Sequence, residues 1–299
     1  MPIHIPVLQA EVTEALRPER GGVFLDATLG LAGHTIAMKR LGGSKLATWG
    51  IDQDQTALSI AKDRLLEAFP NETFTLVKGN FMDLKEIAHE QGMPKCDAIL
   101  MDVGVSSMQI DDPERGFSFM AQGPLDMRMD PENSVSAFTI VNTWPEHKLT
   151  MLLRNYGEER VAAKIAKEIV RKRRKNVIEE TTELAELIIE AYHPAMRHKK
   201  PHPATRTFQA LRIEVNKELE ALEIGIQAAL EQLAPGGRLA VISFHSLEDR
   251  IVKELFRQAA ETGGFTVITK KPLVASEEET AVNPRSRSAK LRVVEKLGE

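Results

Sequence analysis

Short apolar segments alternate with helical patterns over the first hundred residues, and this alternation constrains the fold more than any other feature of the chain. Four of these segments have strand length and are bounded by turn residues: 23–28, 46–51, 73–77 and 98–103. Buried strands separated by amphipathic helices are typical of parallel β/α units. We therefore predict an α/β fold with a doubly wound, mostly parallel sheet.

A glycine-bearing turn follows the first segment. Gly30 and Gly33 lie in it, and glycine lets the backbone approach a ligand closely because it has no β-carbon. Asp52 ends the second segment, 26 residues after Asp26, where an acid in such a sheet can accept hydrogen bonds from ribose hydroxyls. Thr28 stands where a dinucleotide-binding turn has its first glycine, which favours S-adenosylmethionine over NAD. Short glycine turns also occur as plain links between strand and helix.

The alternation stops near residue 108 and resumes near residue 212. Between these points the helical patterns cover 145–155, 158–175 and 181–192, with no buried strand. The later elements predicted are helices over 205–233 and 247–261 and strands over 238–244, 265–270 and 291–297. We expect a discontinuous domain of residues 1–108 and 212–299 with a seven-stranded Rossmann-like sheet, interrupted by a helical domain of residues 109–211. The polar segment 276–288 is predicted to be a surface loop.

Several classes of protein are excluded by composition. Cys96 is the only cysteine, so an intramolecular disulfide and a thiolate-rich metal site are ruled out, and we expect it to be a small buried core residue. His4, His34 and His245 lack the spacing of a zinc site, so no metal is expected. No apolar run reaches the roughly 20 residues that span a bilayer, and residues 1–11 lack signal-peptide features. We expect a cytoplasmic protein that does not bind membranes.

Seven motifs carry a resemblance to a known family. They are H-I-P-V-L at His4, D-V-G-V-S-S at Asp102, E-R-G-F-S-F at Glu114, P-L-D-M-R-M-D at Pro124, H-P-A-T-R-T-F-Q-A-L-R at His202, S-F-H-S-L-E-D-R at Ser243 and N-P-R-S-R-S at Asn283. Together they resemble the bacterial 16S rRNA cytosine-N4 methyltransferase family, known as RsmH or MraW. The resemblance implies S-adenosylmethionine as cofactor. It also implies methylation of N4 of one cytosine in the decoding region of 16S rRNA, within the small ribosomal subunit. A homodimer stays open.

The same resemblance implies a cofactor site. Its residues would be Ala32, Gly33, His34, Asp52, Phe81, Asp102 and Gln109. Ala32 replaces the usual glycine of the family, and we expect its methyl group to be tolerated if φ there is below zero. Phe81 could instead plug the core, Asp52 could be a surface acid, and Asp102 could cap a helix.

Methyl transfer to an amine requires alignment of the reacting atoms and an acceptor for the amine proton. Many amino-group methyltransferases have D-P-P-Y after the fourth strand, whereas this chain has D-V-G-V-S-S. We expect the amine to be bound by Asp102, the backbone carbonyls of residues 103–105, Ser106, Ser107 or His245. Residues 245–248 are also explained as the cap of the helix that follows.

Positive charge is concentrated in one part of the chain. Residues 164–212 contain twelve Lys and Arg and six Glu, whereas the whole chain has a net charge of −4. The candidates for RNA contact are Arg171, Arg173, Arg174, Lys199, Lys200, Arg206, Arg285 and Arg287. A solvated helix face also explains such a run. The alternating charges at 126, 128 and 130 either form ion pairs or line a cleft.

Two further functions remain open at this point. The first is an amino-group methyltransferase that acts on DNA or free RNA. The second is a nonenzymatic RNA-binding or ribosome-assembly factor that retains the cofactor fold. Transfer of labelled methyl groups to small subunits from a deletion strain separates them.

Overall fold

The computed structural model describes residues 5–197, 200 and 202–298. Its strands are β1 Gly22–Asp26, β2 Leu46–Asp52, β3 Phe74–Lys78, β4 Cys96–Asp102, β5 Leu233–Ser243, β6 Phe265–Val267 and β7 Lys290–Lys296. Its α-helices are α1 Gln9–Leu16, α2 Gly33–Gly42, α3 Gln55–Ala68, α4 Leu84–Glu90, α5 Ser107–Asp111, α6 Ala137–Thr143, α7 Glu146–Gly157, α8 Ala162–Arg173, α9 Thr181–Ala191, α10 Ala204–Asn216, α11 Glu218–Gln232, α12 Ser246–Glu261 and α13 Glu277–Val282. Backbone contacts divide the chain into two compact units, a sheet unit (Met1–Gly104 with Leu219–Glu299) and a helical unit (Val105–Glu218).

The sheet unit contains one seven-stranded sheet with the order β3-β2-β1-β4-β5-β7-β6. The pairs from β3 to β5 are parallel, whereas β7 is antiparallel to both β5 and β6. The central strands β1, β4 and β5 are almost completely buried at their carboxyl halves, as expected for a sheet covered by helices on both faces. The predicted α/β fold with a mostly parallel seven-stranded sheet is confirmed.

Helix α3 shows how local sequence determines an element. Asp54 accepts hydrogen bonds from the backbone N–H groups of Thr56 (2.9 Å) and Ala57 (3.4 Å), which satisfies donors at the helix start. The buried residues Ala57, Leu58, Ala61 and Leu65 recur at spacings of three and four. The cap and the apolar face together define where this helix begins and which side it buries.

The single helix predicted over 205–233 is wrong. Lys217 has a φ of 51°, so the chain breaks there into α10 and α11. The strand predicted over 238–244 starts earlier than expected, because β5 already begins at Leu233. Gly237 is needed within β5: a β-carbon there would lie 2.7 Å from the carbonyl oxygen of Cys96. Cys96 is the first residue of β4 and is buried as predicted.

The loop predicted over 276–288 is also wrong, because this segment contains α13 and buries Ser286 completely. Its polar side chains bind the start of the chain. The N–H of Leu8 donates to Oε1 of Glu279 at 2.8 Å, and Nδ2 of Asn283 donates to the carbonyl of Ile5 at 3.1 Å. Most of the segment is exposed, as expected of a surface segment, but these two side chains bind specific partners.

The helical unit has its own apolar core, formed by residues from α6 to α10 such as Ile140, Leu153, Ile165, Ile188 and Leu211. Among its described residues there is no strand, only an isolated bridge between Pro124 and Glu180. Its limits lie a few residues outside the predicted 109–211.

Two details of the helical unit bear on the sequence predictions. The helix expected over 158–175 begins only at Ala162, because Glu158 has a φ of 47°. Nη2 of Arg128 lies 2.7 Å from Oδ2 of Asp126, and Nη1 of Arg128 donates to the carbonyls of Pro131 and Asn133. The ion-pair interpretation therefore applies to these two residues.

Within the described ranges, no helix combines the length and the apolar character needed to cross a bilayer.

Candidate functional site

Four acidic residues gather at the carboxyl edge of the sheet unit. Asp26, Asp52 and Asp102 are the last residues of β1, β2 and β4, and Glu248 lies in the first turn of α12, just after β5. The strand order makes these four strand ends neighbours. Ligands of open α/β sheets bind at this edge.

Asp52 holds the glycine-bearing turn. Its Oδ2 accepts a hydrogen bond from the N–H of Gly30 at 2.7 Å, and its Oδ1 accepts one from the N–H of Asp54 at 2.9 Å. Burial raises the pKa of this carboxyl, although the backbone donors oppose the rise. Gly30 has a φ of 49°, a left-handed conformation that favours glycine. Asp52 therefore has a structural role in the turn beside any role toward a ribose.

Ala32 departs from the expectation stated for it. Its φ is +58°, not below zero, and its side chain is completely buried beside Leu29 and Leu58. A left-handed conformation costs an L-residue with a β-carbon roughly 1–2 kcal/mol. Buried apolar contact offsets part of this cost. Gly33 begins α2, and a β-carbon there would lie 2.7 Å from Cγ of Pro6.

Asp26 and Thr28 belong to the same site, although neither was among the predicted site residues. Asp26 accepts hydrogen bonds from the hydroxyl of Thr35 (2.7 Å) and from the N–H of Thr28 (3.3 Å). The hydroxyl oxygen of Thr28 accepts one from the N–H of Asp102 at 2.6 Å, which ties the turn to the end of β4. Burial raises the pKa of Asp26 to about 6. The position of Asp26 at a strand end was the one sequence signal available.

Asp102 and His34 meet at the centre of this edge, where Nε2 of His34 lies 3.7 Å from Oδ2 of Asp102. Although 28% of the Asp102 side chain is exposed, its Oδ1 is buried and accepts no hydrogen bond from the described part of the chain. Burial, together with the nearby Asp26 and Glu248 carboxyls, raises the pKa of Asp102 to about 8. A buried acceptor without a partner is costly, and it is a place for a ligand donor or cation.

Phe81 lies after β3, where its ring packs against α11: a β-carbon on Gly225 would come within 2.5 Å of Cδ2 of Phe81. Phe81 also packs against the main core of the sheet unit while staying partly exposed. The side chain of Asn80 accepts from the N–H of Met82 and donates to Oε1 of Gln53 at 3.1 Å. This bond links the ends of β2 and β3 beside Phe81. Both interpretations of Phe81, as a core residue and as an adenine contact, agree with these contacts.

His245 forms a helix cap. Its Nδ1 accepts a hydrogen bond from the N–H of Glu248 at 3.3 Å, and its Nε2 lies 3.1 Å from Oε1 of the same residue. Oε2 of Glu248 accepts from the N–H groups of Phe244 and His245, which completes the capping box. Both ring nitrogens thus face Glu248, and these contacts favour the capping interpretation over that of a proton acceptor.

Of the predicted residues after β4, those from Val105 onward belong to the helical unit. The hydroxyl of Ser106 accepts from the N–H of Gln109 at 3.2 Å, and Oε1 of Gln109 accepts from the N–H of Ser106 at 3.1 Å. This reciprocal pair is the capping box of α5, whose first residue is Ser107. Gln109 is buried.

The basic candidates of α8 have different environments. Arg173 is half-buried, and its guanidinium donates to the carbonyls of Val141 and Trp144, both at 2.6 Å. Partial burial, together with Arg174, lowers its pKa. Arg171 is exposed and pairs with Glu168, whereas Arg174 is exposed at the helix end. These hydrogen bonds give Arg173 a structural role at the end of α6, and its contact with RNA stays a prediction.

The remaining basic candidates are spread over both units. Lys200 and Arg287 are exposed, and Arg285 is partly exposed. Arg206 is partly exposed, and its Nη1 donates to the carbonyl of Glu158 at 3.1 Å. Lys199 lies outside the described residues.

The sheet edge fits the chemistry of S-adenosylmethionine. Asp52 offers carboxylate oxygens at the position expected for a ribose, and the buried Oδ1 of Asp102 suits a donor or a positive charge. Gly30 and Gly33 themselves place no side chain in the turn before α2.

The family model described as the MraW methylase family matches residues 1–297. The chain belongs to this family. The MraW resemblance inferred from the motifs is therefore confirmed. A protein of Carboxydothermus hydrogenoformans named ribosomal RNA small subunit methyltransferase H is 47% identical, over 98% of each chain. A protein of the same name from Deinococcus deserti is 50% identical, over 99% of this chain and 94% of its own.

Solved structures are more distant from this MraW-family chain. An rRNA methylase from Streptococcus thermophilus aligns with a TM-score of 0.44 at 12% identity, over 97% of this chain and 93% of that chain. A likeness at this level does not bear on function.

Proposed function

We propose that this protein transfers a methyl group from S-adenosylmethionine to N4 of one cytosine in the decoding region of 16S rRNA, within the small ribosomal subunit. The observation that carries the proposal is membership of the MraW methylase family over residues 1–297, with relatives at 47–50% identity named for this ribosomal subunit. The protein is a methyltransferase, and its methyl donor is S-adenosylmethionine. A ribosomal substrate would place it in the cytoplasm.

The cofactor supplies an electrophilic methyl carbon on a positively charged sulfur. The chain's own residues bind and orient it: Asp52 would accept hydrogen bonds from the ribose, and Phe81 would cover the adenine. Ala32, Gly33, His34, Asp102 and Gln109 would complete the cofactor site. Burial raises the pKa of Asp102. A positive charge bound beside it would favour the ionised carboxylate and so oppose this rise.

The amine of the cytosine needs acceptors that stabilise the positive charge it gains. We assign this role to Asp102, the carbonyls of residues 103–105, Ser106 and Ser107. His245 is less suited, because both of its ring nitrogens face Glu248.

Methylation at C5 would require a cysteine nucleophile. Cys96 stands at the amino end of β4, opposite to Asp102, and burial raises the pKa of its thiol to about 12. A buried thiol with this pKa is unreactive at neutral pH. This supports N4 over C5.

We further propose that the helical unit recognises RNA. Its exposed cations Arg171, Arg174 and Lys200, with Arg285 and Arg287 of the sheet unit, would contact phosphates. A base must be unpaired or extruded before its amine can reach a methyl donor.

The test is methyl transfer from labelled S-adenosylmethionine to small subunits purified from a strain that lacks the gene. Nucleoside mass spectrometry should find N4-methylcytidine at one position, while deproteinised 16S rRNA should react poorly. A C5 product, or label spread over many cytosines, would overturn the substrate assignment. Binding to subunits without methyl transfer would favour the nonenzymatic assembly factor. Methyl transfer to DNA would favour the amino-group methyltransferase that acts on DNA or free RNA.

A further inference from the structure

Two of the family motifs meet in the helical unit through their aromatic residues. Phe119, from E-R-G-F-S-F, lies parallel to the ring of His202, from H-P-A-T-R-T-F, with 4.6 Å between ring centroids and 23° between planes. Phe119 also contacts Phe208 edge-on, at 5.0 Å and 72°. Phe208 is buried, whereas Phe119 and His202 are partly exposed. The three rings form a stack that runs from the core to the surface.

The outer ring of this stack is held in a defined orientation. Nδ1 of His202 accepts a hydrogen bond from the N–H of Ala204 at 3.2 Å, just before α10. The neutral imidazole therefore carries its hydrogen on Nε2. Among the described residues Nε2 has no hydrogen-bond partner, so it can donate to a ligand. A ring fixed by a backbone bond and by stacking loses little entropy when it binds.

Two cationic residues lie close in sequence to the outer ring of the stack. Lys200 is exposed two residues before His202, and Arg206 follows one helical turn later, partly exposed. Unpaired RNA bases are typically bound by stacking on aromatic side chains, His among them, while nearby cations contact the phosphates. Phe119 contacts both the buried Phe208 and the partly exposed His202. The hydrogen bond from Ala204 uses Nδ1 of His202 and leaves Nε2 and one side of the ring for a ligand.

We propose that His202, supported by Phe119, stacks against an unpaired base of the RNA substrate. The proposal rests on the proposed function only in taking RNA as the ligand. Nε2 would donate a hydrogen bond to the same nucleotide or its neighbour, and Lys200 and Arg206 would approach the backbone.

The test compares His202→Asn with a matched control in the full-length protein. Asn keeps an acceptor for the N–H of Ala204 but removes the ring. His193 is the control, because its Nδ1 likewise accepts from the N–H two residues later, of Ala195 at 3.4 Å, and no ring stacking is found for it among the described residues. The probe is a fluorescent single-stranded RNA with the decoding-region sequence, titrated at several salt concentrations.

His202→Asn should weaken binding roughly tenfold, without changing the slope of log affinity against log salt, because stacking releases no counterions. His193→Asn should bind as the unmodified protein does. His202→Phe should restore most of the affinity, since it keeps a ring. Equal loss in His202→Phe and His202→Asn, or no loss in either, would overturn the stacking role.

Failure of the proposed function has a different signature. If the unmodified protein binds no RNA and methylates no subunits, the RNA substrate itself is wrong. If it binds and methylates while both His202 variants match it, only the stacking role is lost.

Discussion

At the carboxyl edge of the sheet, Asp26, Asp52 and Asp102 lie side by side and accept hydrogen bonds or carry raised pKa values because of burial. At the end of α8, by contrast, Arg173 turns into the helical unit while its neighbour Arg174 stays exposed. Parallel strands bring their last residues to one edge. Consecutive helical residues point about 100° apart. The sequence therefore predicts where a charged side chain lies at the end of a parallel strand. Along a helix it does not show whether the side chain points inward or to solvent.

Asp52 offers the largest test of this contrast. Asp52→Ala should weaken S-adenosylmethionine binding roughly tenfold or more, because the carboxylate accepts charge-assisted hydrogen bonds and also holds the N–H of Gly30. Calorimetric titration measures the loss. Asp54→Asn removes a charge two residues away but keeps the α3 cap, and it should bind nearly normally. Unchanged affinity in a folded Asp52→Ala protein would remove this residue from the site.

Substitutions of Arg173, the last residue of α8, and of Arg174, which follows it, should affect stability and RNA binding differently. Arg173→Ala should lower the free energy of unfolding by about 2 kcal/mol, because two carbonyls lose a charged donor. Arg174→Ala should change it by less than about 0.5 kcal/mol. Urea unfolding measures both.

In RNA titrations, by contrast, substitution of Arg174 should have a larger effect than substitution of Arg173. Arg174→Glu should reduce affinity and flatten the salt dependence while cofactor affinity stays the same. If Arg174→Glu leaves the salt slope unchanged, the basic run is only a solvated face.

A smaller effect is expected in the pH dependence of stability. The folded-state pKa of Asp102 is about 8, above the unfolded value near 3.8, so ionisation favours unfolding as pH rises from about 4 to 8. Asp102→Asn should match the unmodified protein at pH 4 and exceed its unfolding free energy by at least about 1 kcal/mol at pH 8. Urea unfolding without cofactor, at a series of pH values, tests this. If the difference in unfolding free energy between the two proteins does not change with pH, Asp102 ionises normally.

Ala32→Gly should produce the smallest change. Relief of the left-handed strain is opposed by the lost buried methyl group and by the greater entropy of an unfolded glycine. The unfolding free energy should shift by less than about 1 kcal/mol. Cofactor affinity should stay within a factor of about five, since about 1 kcal/mol is roughly a fivefold change in an equilibrium constant. A large gain in affinity would show that the β-carbon distorts the turn.

The mostly parallel sheet follows from the alternation of apolar segments and helical patterns, and the candidate acids Asp52 and Asp102 follow from their positions at strand ends. The left-handed residues Ala32 and Lys217 did not show in the sequence, because their conformation is imposed by packing and not by residue type. Thr28 and Asp26 were missed for a related reason: a short polar side chain in a turn has many partners, and only the fold selects Asp102 and Thr35.

The polar segment that contains Glu279 and Asn283 illustrates the same limit. Its hydrogen bonds reach residues 5 and 8, which lie 278 and 271 positions earlier in the chain than their partners. No local pattern can indicate such partners. The sequence of residues 276–288 therefore predicts only a surface loop.

The discontinuity of the sheet unit has a consequence for biosynthesis. Strand β7 lies between β5 and β6 in the sheet, yet it is the last element of the chain, at Lys290–Lys296. Glu279, which accepts the hydrogen bond from Leu8, is synthesised only shortly before β7. The helical unit comes from one uninterrupted stretch that leaves the ribosome much earlier, and domains tend to fold as units during synthesis. A nascent chain would thus contain a complete helical unit and an incomplete sheet until β7 has been synthesised.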